Sequence, residues 1–217
     1  MKKILIILIL FSTNLNASNF KLERIVKGLD SPWSLSFIDE QNLFITEKPG
    51  SIKYVNLKEK TIKEINHNLN ILEDGQGGLL DILYKKKFIF VSYSENRLNG
   101  LSSTSVARAE INRKKLEFKN IFQAEPPINS GYHFGSRLAI KNEHLYVTAG
   151  ERGKGMIAQD YTKHPGSIIR INLDGTIPKD NPKFINNKNW LPEIYQIGVR
   201  NPQGMSLSPF DEKIYLT

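Results

Sequence analysis

The chain has 217 residues, 40% of them hydrophobic and 24% charged, which is the balance of a folded chain with room for one large domain or two small ones. Its 15 glycines and 10 prolines exclude collagen-like and disordered classes, and the absence of cysteine excludes disulfide scaffolds, thiolate metal sites and cysteine nucleophiles. The formal net charge of +8 is scattered along the chain; its densest run, Lys85, Lys86 and Lys87 between two apolar stretches, reads as a solvated turn, and no nucleic-acid partner is expected.

At the amino terminus, Met1, Lys2 and Lys3 precede eight apolar residues at 4–11. That run falls well short of the roughly 20 residues a bilayer span needs. Polar residues then lead to Ala17, a small residue suited to signal-peptidase cleavage, although Leu15 two places earlier is less favourable than alanine. Residues 1–17 read as a secretory signal peptide, with a buried first strand as the alternative. The reading implies a periplasmic or secreted domain over 18–217, with no stable membrane span after cleavage. Its charge falls to +6 on loss of the two lysines.

Past this segment the chain reads as a succession of hairpins. Apolar residues 34–38 and 43–46 flank a polar turn at 39–42, and 51–55 is a further strand candidate. Residues 57–72 are ambiguous, because Ile62, Ile65, Leu69 and Leu72 are spaced acceptably for an amphipathic helix. Residues 78–84 and 89–92 form the next hairpin around the lysine turn, followed by a strand at 104–109. Residues 136–140 and 145–148 form a third around 141–143, followed by a strand at Ser167–Asn172; 204–208 and 214–217 form a fourth around 211–213.

The second member of every hairpin carries the same string: Leu43-Phe44-Ile45-Thr46, Ile89-Phe90-Val91-Ser92, Leu145-Tyr146-Val147-Thr148 and Ile214-Tyr215-Leu216-Thr217. Each runs aliphatic, aromatic, aliphatic, hydroxyl, and the string recurs after 46, 56 and 69 residues. A recurring hairpin with growing insertions points to a β-propeller, whose blades take about 40–50 residues and four strands. A β-sandwich of unrelated hairpins is the alternative that this pattern leaves open.

In a propeller the chemistry sits on loops around the central channel. Asp74-Gly75-Gln76-Gly77-Gly78 surrounds one amide with glycine, which lets a ligand approach the backbone or simply makes a turn. Tyr132-His133-Phe134-Gly135-Ser136-Arg137-Leu138 and Gly198-Val199-Arg200-Asn201-Pro202-Gln203-Gly204 both lead into strands. Of the four histidines, His67 and His144 read as surface residues and His164 as part of a turn. His133 stands at a strand start, where a neutral imidazole can act as a base. Glu151 follows the next strand, 18 residues later. If the two strands pair, its carboxylate returns to the end that carries His133 and orients the ring, or makes a purely structural hydrogen bond.

Several further strings stand in the loops and strands: Ser31-Pro32-Trp33-Ser34-Leu35-Ser36-Phe37, LFITEKPG from Leu43, GQGGLL from Gly75, HFGSRL from His133, Ala158-Gln159-Asp160 with His164-Pro165-Gly166, Leu173-Asp174-Gly175, and Arg200-Asn201-Pro202-Gln203-Gly204. Together they are similar to the soluble aldose sugar dehydrogenases of the glucose/sorbosone dehydrogenase family. They occur in the family's order. The resemblance implies a six-bladed propeller that uses pyrroloquinoline quinone (PQQ) and binds Ca²⁺. It implies that His133 takes the proton from the anomeric hydroxyl of an aldose while hydride passes to PQQ, and that Gln76, Arg200 and Asn201 hold the quinone. A fixed guanidinium such as that of Arg200 can stabilise charge developing on a quinone oxygen. An unidentified electron acceptor completes the expected cycle.

The chain departs from the family pattern in places. Glu151 stands where aspartate is frequent and so takes a supporting role beside His133. Val199 stands where histidine is frequent, and Ser136 and Ser167 replace a common glycine and lysine. The family's members are longer, and this sequence ends within its fourth string. The expectation is therefore a propeller truncated to about four blades, with Ca²⁺ ligands lying beyond residue 217 and activity in doubt. A non-catalytic binding propeller and a non-functional truncation product are the alternative functions.

Overall fold

A computed structural model of the chain describes residues 21–183 and 189–217. The signal-peptide reading of residues 1–17 lies outside the described residues. The described chain is almost entirely strand and turn, with one short 3₁₀ segment at Gly155–Gln159.

Among the described residues fifteen strands form four sheets in chain order. The first blade comprises β1 (Pro32–Phe37), β2 (Asn42–Glu47), β3 (Ile52–Asn56) and β4 (Thr61–His67). The second holds β5 (Leu79–Lys85), β6 (Phe88–Asn96), β7 (Ser102–Glu110) and, after β8 (Lys115–Leu116), β9 (Lys119–Gln123). The third holds β10 (Gly135–Lys141), β11 (His144–Ala149), β12 (Ser167–Asn172) and β13 (Ile194–Ile197); β14 (Met205–Leu207) and β15 (Ile214–Leu216) begin a fourth. Each of the first three is an antiparallel meander, and β8 adds a parallel pairing to the edge of β4. The sheets do not close into a ring among the described residues.

The repeated string has a packing explanation. Alternate residues of a strand face opposite sides of its sheet. On β6, Ile89 and Val91 pack into the core shared with the first blade, whereas Phe90 packs into the core shared with the third. On β11, Leu145 and Val147 face the second blade and Tyr146 faces the fourth. Phe44 on β2 likewise enters the core between the first and second blades. Both faces of a blade are buried, so both alternating positions must be apolar. Burying one such side chain contributes about 1.5–3 kcal/mol.

The hydroxyl that ends each of the first three strings joins consecutive blades. Thr46 Oγ1 donates to the Leu80 carbonyl, Ser92 Oγ to that of Ser136, and Thr148 Oγ1 to that of Pro202 at 2.8 Å. Each acceptor lies in, or just before, the first strand of the following blade. Ser92 Oγ also accepts the Asp81 N–H at 3.0 Å, and Thr148 Oγ1 the Arg137 N–H at 2.8 Å. These amides sit at the register shifts of β5 and β10, where a bulge turns an N–H away from its ladder partner. All three hydroxyls are fully buried.

The first strands of the blades are further tied by Asp81. Its carboxylate accepts hydrogen bonds from Ser34 Oγ on β1, from Arg137 Nη1 at 3.0 Å and from the Leu138 N–H at 2.7 Å on β10. Burial raises its pKa despite Arg137 and these hydrogen bonds. The Arg137 guanidinium also stacks 4.3 Å from the Trp33 ring centre and donates from Nε to the Gln203 carbonyl at 2.8 Å, so one side chain contacts three blades besides its own.

Two expectations, at His67 and His144, need correction, the ambiguity at 57–72 is resolved, and His164 lies in its expected turn but is buried. Residues 61–67 of the helix candidate are strand β4: Val55 pairs with Ile62 and Ile52 with Ile65, which buries Ile65 and leaves Ile62 exposed. The partner strand supplies hydrogen bonds that a period read from one segment cannot show. His67 is half-buried, with Nε2 2.6 Å from the Gly50 carbonyl. His144 is half-buried, with Nδ1 3.3 Å from Arg170 Nη2. His164 is buried: its Nδ1 accepts the Glu125 N–H at 2.9 Å and its Nε2 donates to Glu193 Oε1 at 2.9 Å, joining the second and third blades. A backbone N–H needs an acceptor, so Nδ1 carries the lone pair and Nε2 the proton.

Candidate active site

The glycine-rich loops converge because of strand direction. Gln76 precedes β5, His133 precedes β10, and Arg200 and Asn201 precede β14, so all lie at the same end of their blades. Residue 151 follows β11, which runs antiparallel to β10, and Gly135 pairs with Ala149. The Gly150 N–H donates to the Phe134 carbonyl at 3.1 Å. Glu151 therefore returns beside His133.

Here His133 Nδ1 and Glu151 Oε1 are hydrogen-bonded. The other carboxylate oxygen, Oε2, accepts the Gly155 N–H. Glu151 is only 3% exposed. Burial works against its ionisation, but the hydrogen bonds from His133 and Gly155 outweigh it and hold the carboxyl below its ordinary pKa. An ionised carboxylate only accepts, so Nδ1 bears the proton, and in the neutral ring Nε2 carries the lone pair. His133 adopts a left-handed backbone with φ of 51°, a conformation uncommon outside glycine. Gly150 lies so close to this turn that a Cβ there would collide with the His133 carbonyl.

The other sequence-selected residues belong to the same hydrogen-bonded set. Gln76 Oε1 accepts the His133 N–H at 2.8 Å, and the Gln76 N–H donates to the Gly131 carbonyl at 2.7 Å. Asn201 Oδ1 accepts the Gly135 N–H at 3.1 Å, and the Glu151 N–H donates to the Arg200 carbonyl at 2.8 Å. Both amide oxygens are thus occupied by backbone donors, and each amide nitrogen remains as a donor. Among the described residues, Gln76 Nε2, Asn201 Nδ2 and the exposed Arg200 guanidinium have no protein acceptor. A donor-only set of this kind suits an oxygen-rich, anionic group such as PQQ, so the residues present fit the cofactor. Among the described residues no three His, Cys, Asp or Glu side chains gather to hold a metal, and no Ca²⁺ ligand is assigned. No described helix is long and apolar enough to cross a membrane.

Sequence reasoning missed Arg152. It is fully buried beneath the His133 loop and stacks 3.7 Å from the Phe134 ring centre. An arginine after Glu151 in a glycine-rich loop reads as solvated, because its partners lie far away in sequence. Tyr132, next to His133, is instead largely exposed.

Fold and site together define a propeller-type protein with a carboxylate-oriented histidine at the mouth of its blades. Residues 29–217 match the family described as Glucose / Sorbosone dehydrogenase, and the chain belongs to that family. Aldose sugar dehydrogenase YliI of Escherichia coli is 32% identical over 198 residues, covering 87% of this chain and 53% of that protein. Quinoprotein glucose dehydrogenase B of Acinetobacter calcoaceticus is 27% identical over 228 residues, covering 89% and 47%. Among solved structures, the apo-form of the soluble aldose sugar dehydrogenase from Escherichia coli superposes with a TM-score of 0.81 at 32% identity, covering 87% of this chain and 57% of that one. The chain spans about half the length of the curated relatives it matches.

Proposed function

We propose that the protein is a PQQ-dependent oxidoreductase that converts an aldose to its lactone at the anomeric carbon. The observation that carries this reading is the His133–Glu151 pair, which leaves Nε2 as the basic atom beside three unpaired donor groups. His133 Nε2 takes the proton of the anomeric hydroxyl as the C1–H bond breaks and the C1–O bond becomes a carbonyl. When bound, PQQ supplies the acceptor for the hydride that leaves C1. Glu151 fixes the ring and compensates the charge of the imidazolium that forms. Gln76, Asn201 and Arg200 would hold the quinone, and the Arg200 charge would favour its reduced form.

The family membership and the names of the sugar dehydrogenase relatives support the sugar substrate, and the name quinoprotein supports the cofactor. Reading residues 1–17 as a signal peptide places the protein in the periplasm or outside the cell; mass determination of the exported amino terminus tests this. The functional test is turnover of an aldose with PQQ, Ca²⁺ and a dye acceptor. His133→Ala is expected to abolish turnover while leaving the far-ultraviolet spectrum unchanged. Undiminished turnover in that variant would remove His133 as the base.

A further inference from the structure

We propose that Arg152 is the positioning residue for His133: its buried guanidinium clamps the 130–134 loop and so sets the direction in which the imidazole points. Four hydrogen bonds carry the clamp. Nε donates to the Tyr132 carbonyl at 3.0 Å, Nη2 to the Ser130 carbonyl, Nη1 to the Ser102 carbonyl at 2.8 Å and Nη2 to Ser102 Oγ at 2.9 Å. Its backbone N–H reaches the His133 carbonyl at 3.3 Å, and its guanidinium plane covers Phe134. Arg152 thus touches the loop at 130, 132, 133 and 134, on both sides of the histidine, and anchors it to the start of β7.

The placement of this side chain is unusual in two respects. No carboxylate forms an ion pair with it among the described residues; its donors are spent on neutral oxygens, all but one of them backbone carbonyls. A buried charge is retained only where its hydrogen bonds are satisfied, and a planar fork is what can serve three separate carbonyls at once. Burial also pulls the guanidinium pKa down to about 10, with Asp74 opposing the shift, so the group stays protonated at neutral pH. Second, Arg152 directly follows Glu151, and both His133 and Arg152 have left-handed backbones, with φ of 51° and 57°. Two consecutive residues therefore hold the histidine twice, Glu151 by the ring and Arg152 by the backbone beneath it.

Lysine at this position keeps the charge but lacks the fork, and cannot reach Ser130, Tyr132 and Ser102 together. The test uses Arg152→Lys and the milder Ser102→Ala, which removes one of the four acceptors on a strand that does not touch the base. In the cofactor-free protein, the hydrogen-bonded Nδ1 proton of His133 is followed by NMR, which depends on the His133–Glu151 geometry and not on any turnover. Arg152→Lys is expected to shift or broaden this resonance away, and Ser102→Ala to shift it measurably, with both variants folded. With aldose, PQQ and dye, Arg152→Lys is expected to lower kcat by about 10- to 100-fold with KM within about twofold, as displacement of a reacting group does. This activity arm rests on the proposed dehydrogenase function; the NMR arm does not. Absence of turnover in the wild type together with a displaced resonance in the variants would refute the dehydrogenase reading and leave the clamp standing. A wild-type Nδ1 resonance in folded Arg152→Lys, or in Ser102→Ala where the lysine variant does not fold, overturns the clamp.

Discussion

Replacing Thr148 with valine tests whether the hydroxyl that ends each of the first three strings is a structural joint between blades. Valine matches threonine in shape, so the substitution removes the hydroxyl without opening a cavity. Two backbone groups then lose their partner: the Arg137 N–H, which donates to Thr148 Oγ1 at 2.8 Å, and the Pro202 carbonyl, which accepts from it at 2.8 Å. Thr148 is fully buried, so water does not replace it. A buried polar group left unpaired costs about 1–3 kcal/mol. The Arg137 side is only partly buried and belongs at the low end, so the pair together should cost about 2–4 kcal/mol, a large part of the roughly 5–15 kcal/mol that holds a domain folded. For a chain of this size the loss corresponds to about 4–16 °C in Tm. Urea unfolding followed by circular dichroism measures it, with exposed Thr61→Val on β4 as a control expected within about 0.5 kcal/mol of wild type. A Thr148→Val midpoint as close to wild type as that control, with an unchanged slope, would refute the joint.

Three further outcomes follow from the site. Glu151→Gln offers one acceptor and one donor group to two donors, His133 Nδ1–H and Gly155 N–H, and so favours the imidazole tautomer with the proton on Nε2; kcat should fall by on the order of 10³–10⁴ at similar KM, and a loss below tenfold would rule out the carboxylate's orienting role. Glu151 and Glu193 both have folded-state pKa values below their unfolded ones, so their stabilisation is present above about pH 4.3 and is lost as pH falls through the folded values. Urea midpoints between pH 6 and pH 3 should therefore decline less steeply in Glu151→Gln and Glu193→Gln than in wild type; parallel declines would contradict the linkage. Gly150→Ala drives a Cβ into the His133 carbonyl and should destabilise the protein by about 1–3 kcal/mol while displacing the Nδ1 resonance, whereas a neutral substitution would show that the turn yields easily.

The strand strings were legible because their cause is local. A blade buried on both faces needs apolar residues at both alternating positions, and this requirement wrote Leu43-Phe44-Ile45, Ile89-Phe90-Val91 and Leu145-Tyr146-Val147 into the sequence. The hairpin turns were legible for the same reason, and with them the return of Glu151 to the end that carries His133. The ordered loop strings marked Gln76, His133, Arg200 and Asn201, and the structure gathers all four with Glu151. Residues 61–67 were ambiguous because helix and strand spacings overlap over one short segment, and the pairing with β3 decides between them.

The sequence by itself determined the fold class, the repeating hairpin and the loops that carry the chemistry, since each depends on residues close in the chain. Only the tertiary structure decided what the polar groups do. Thr148 meets Pro202, His164 meets Glu125 and Glu193, and Arg152 meets Ser102, across separations of 54, 39, 29 and 50 residues. Hydrogen bonding and desolvation depend on which oxygens and nitrogens come together in space. A buried arginine clamp and a solvated arginine are therefore the same letter until the blades are stacked.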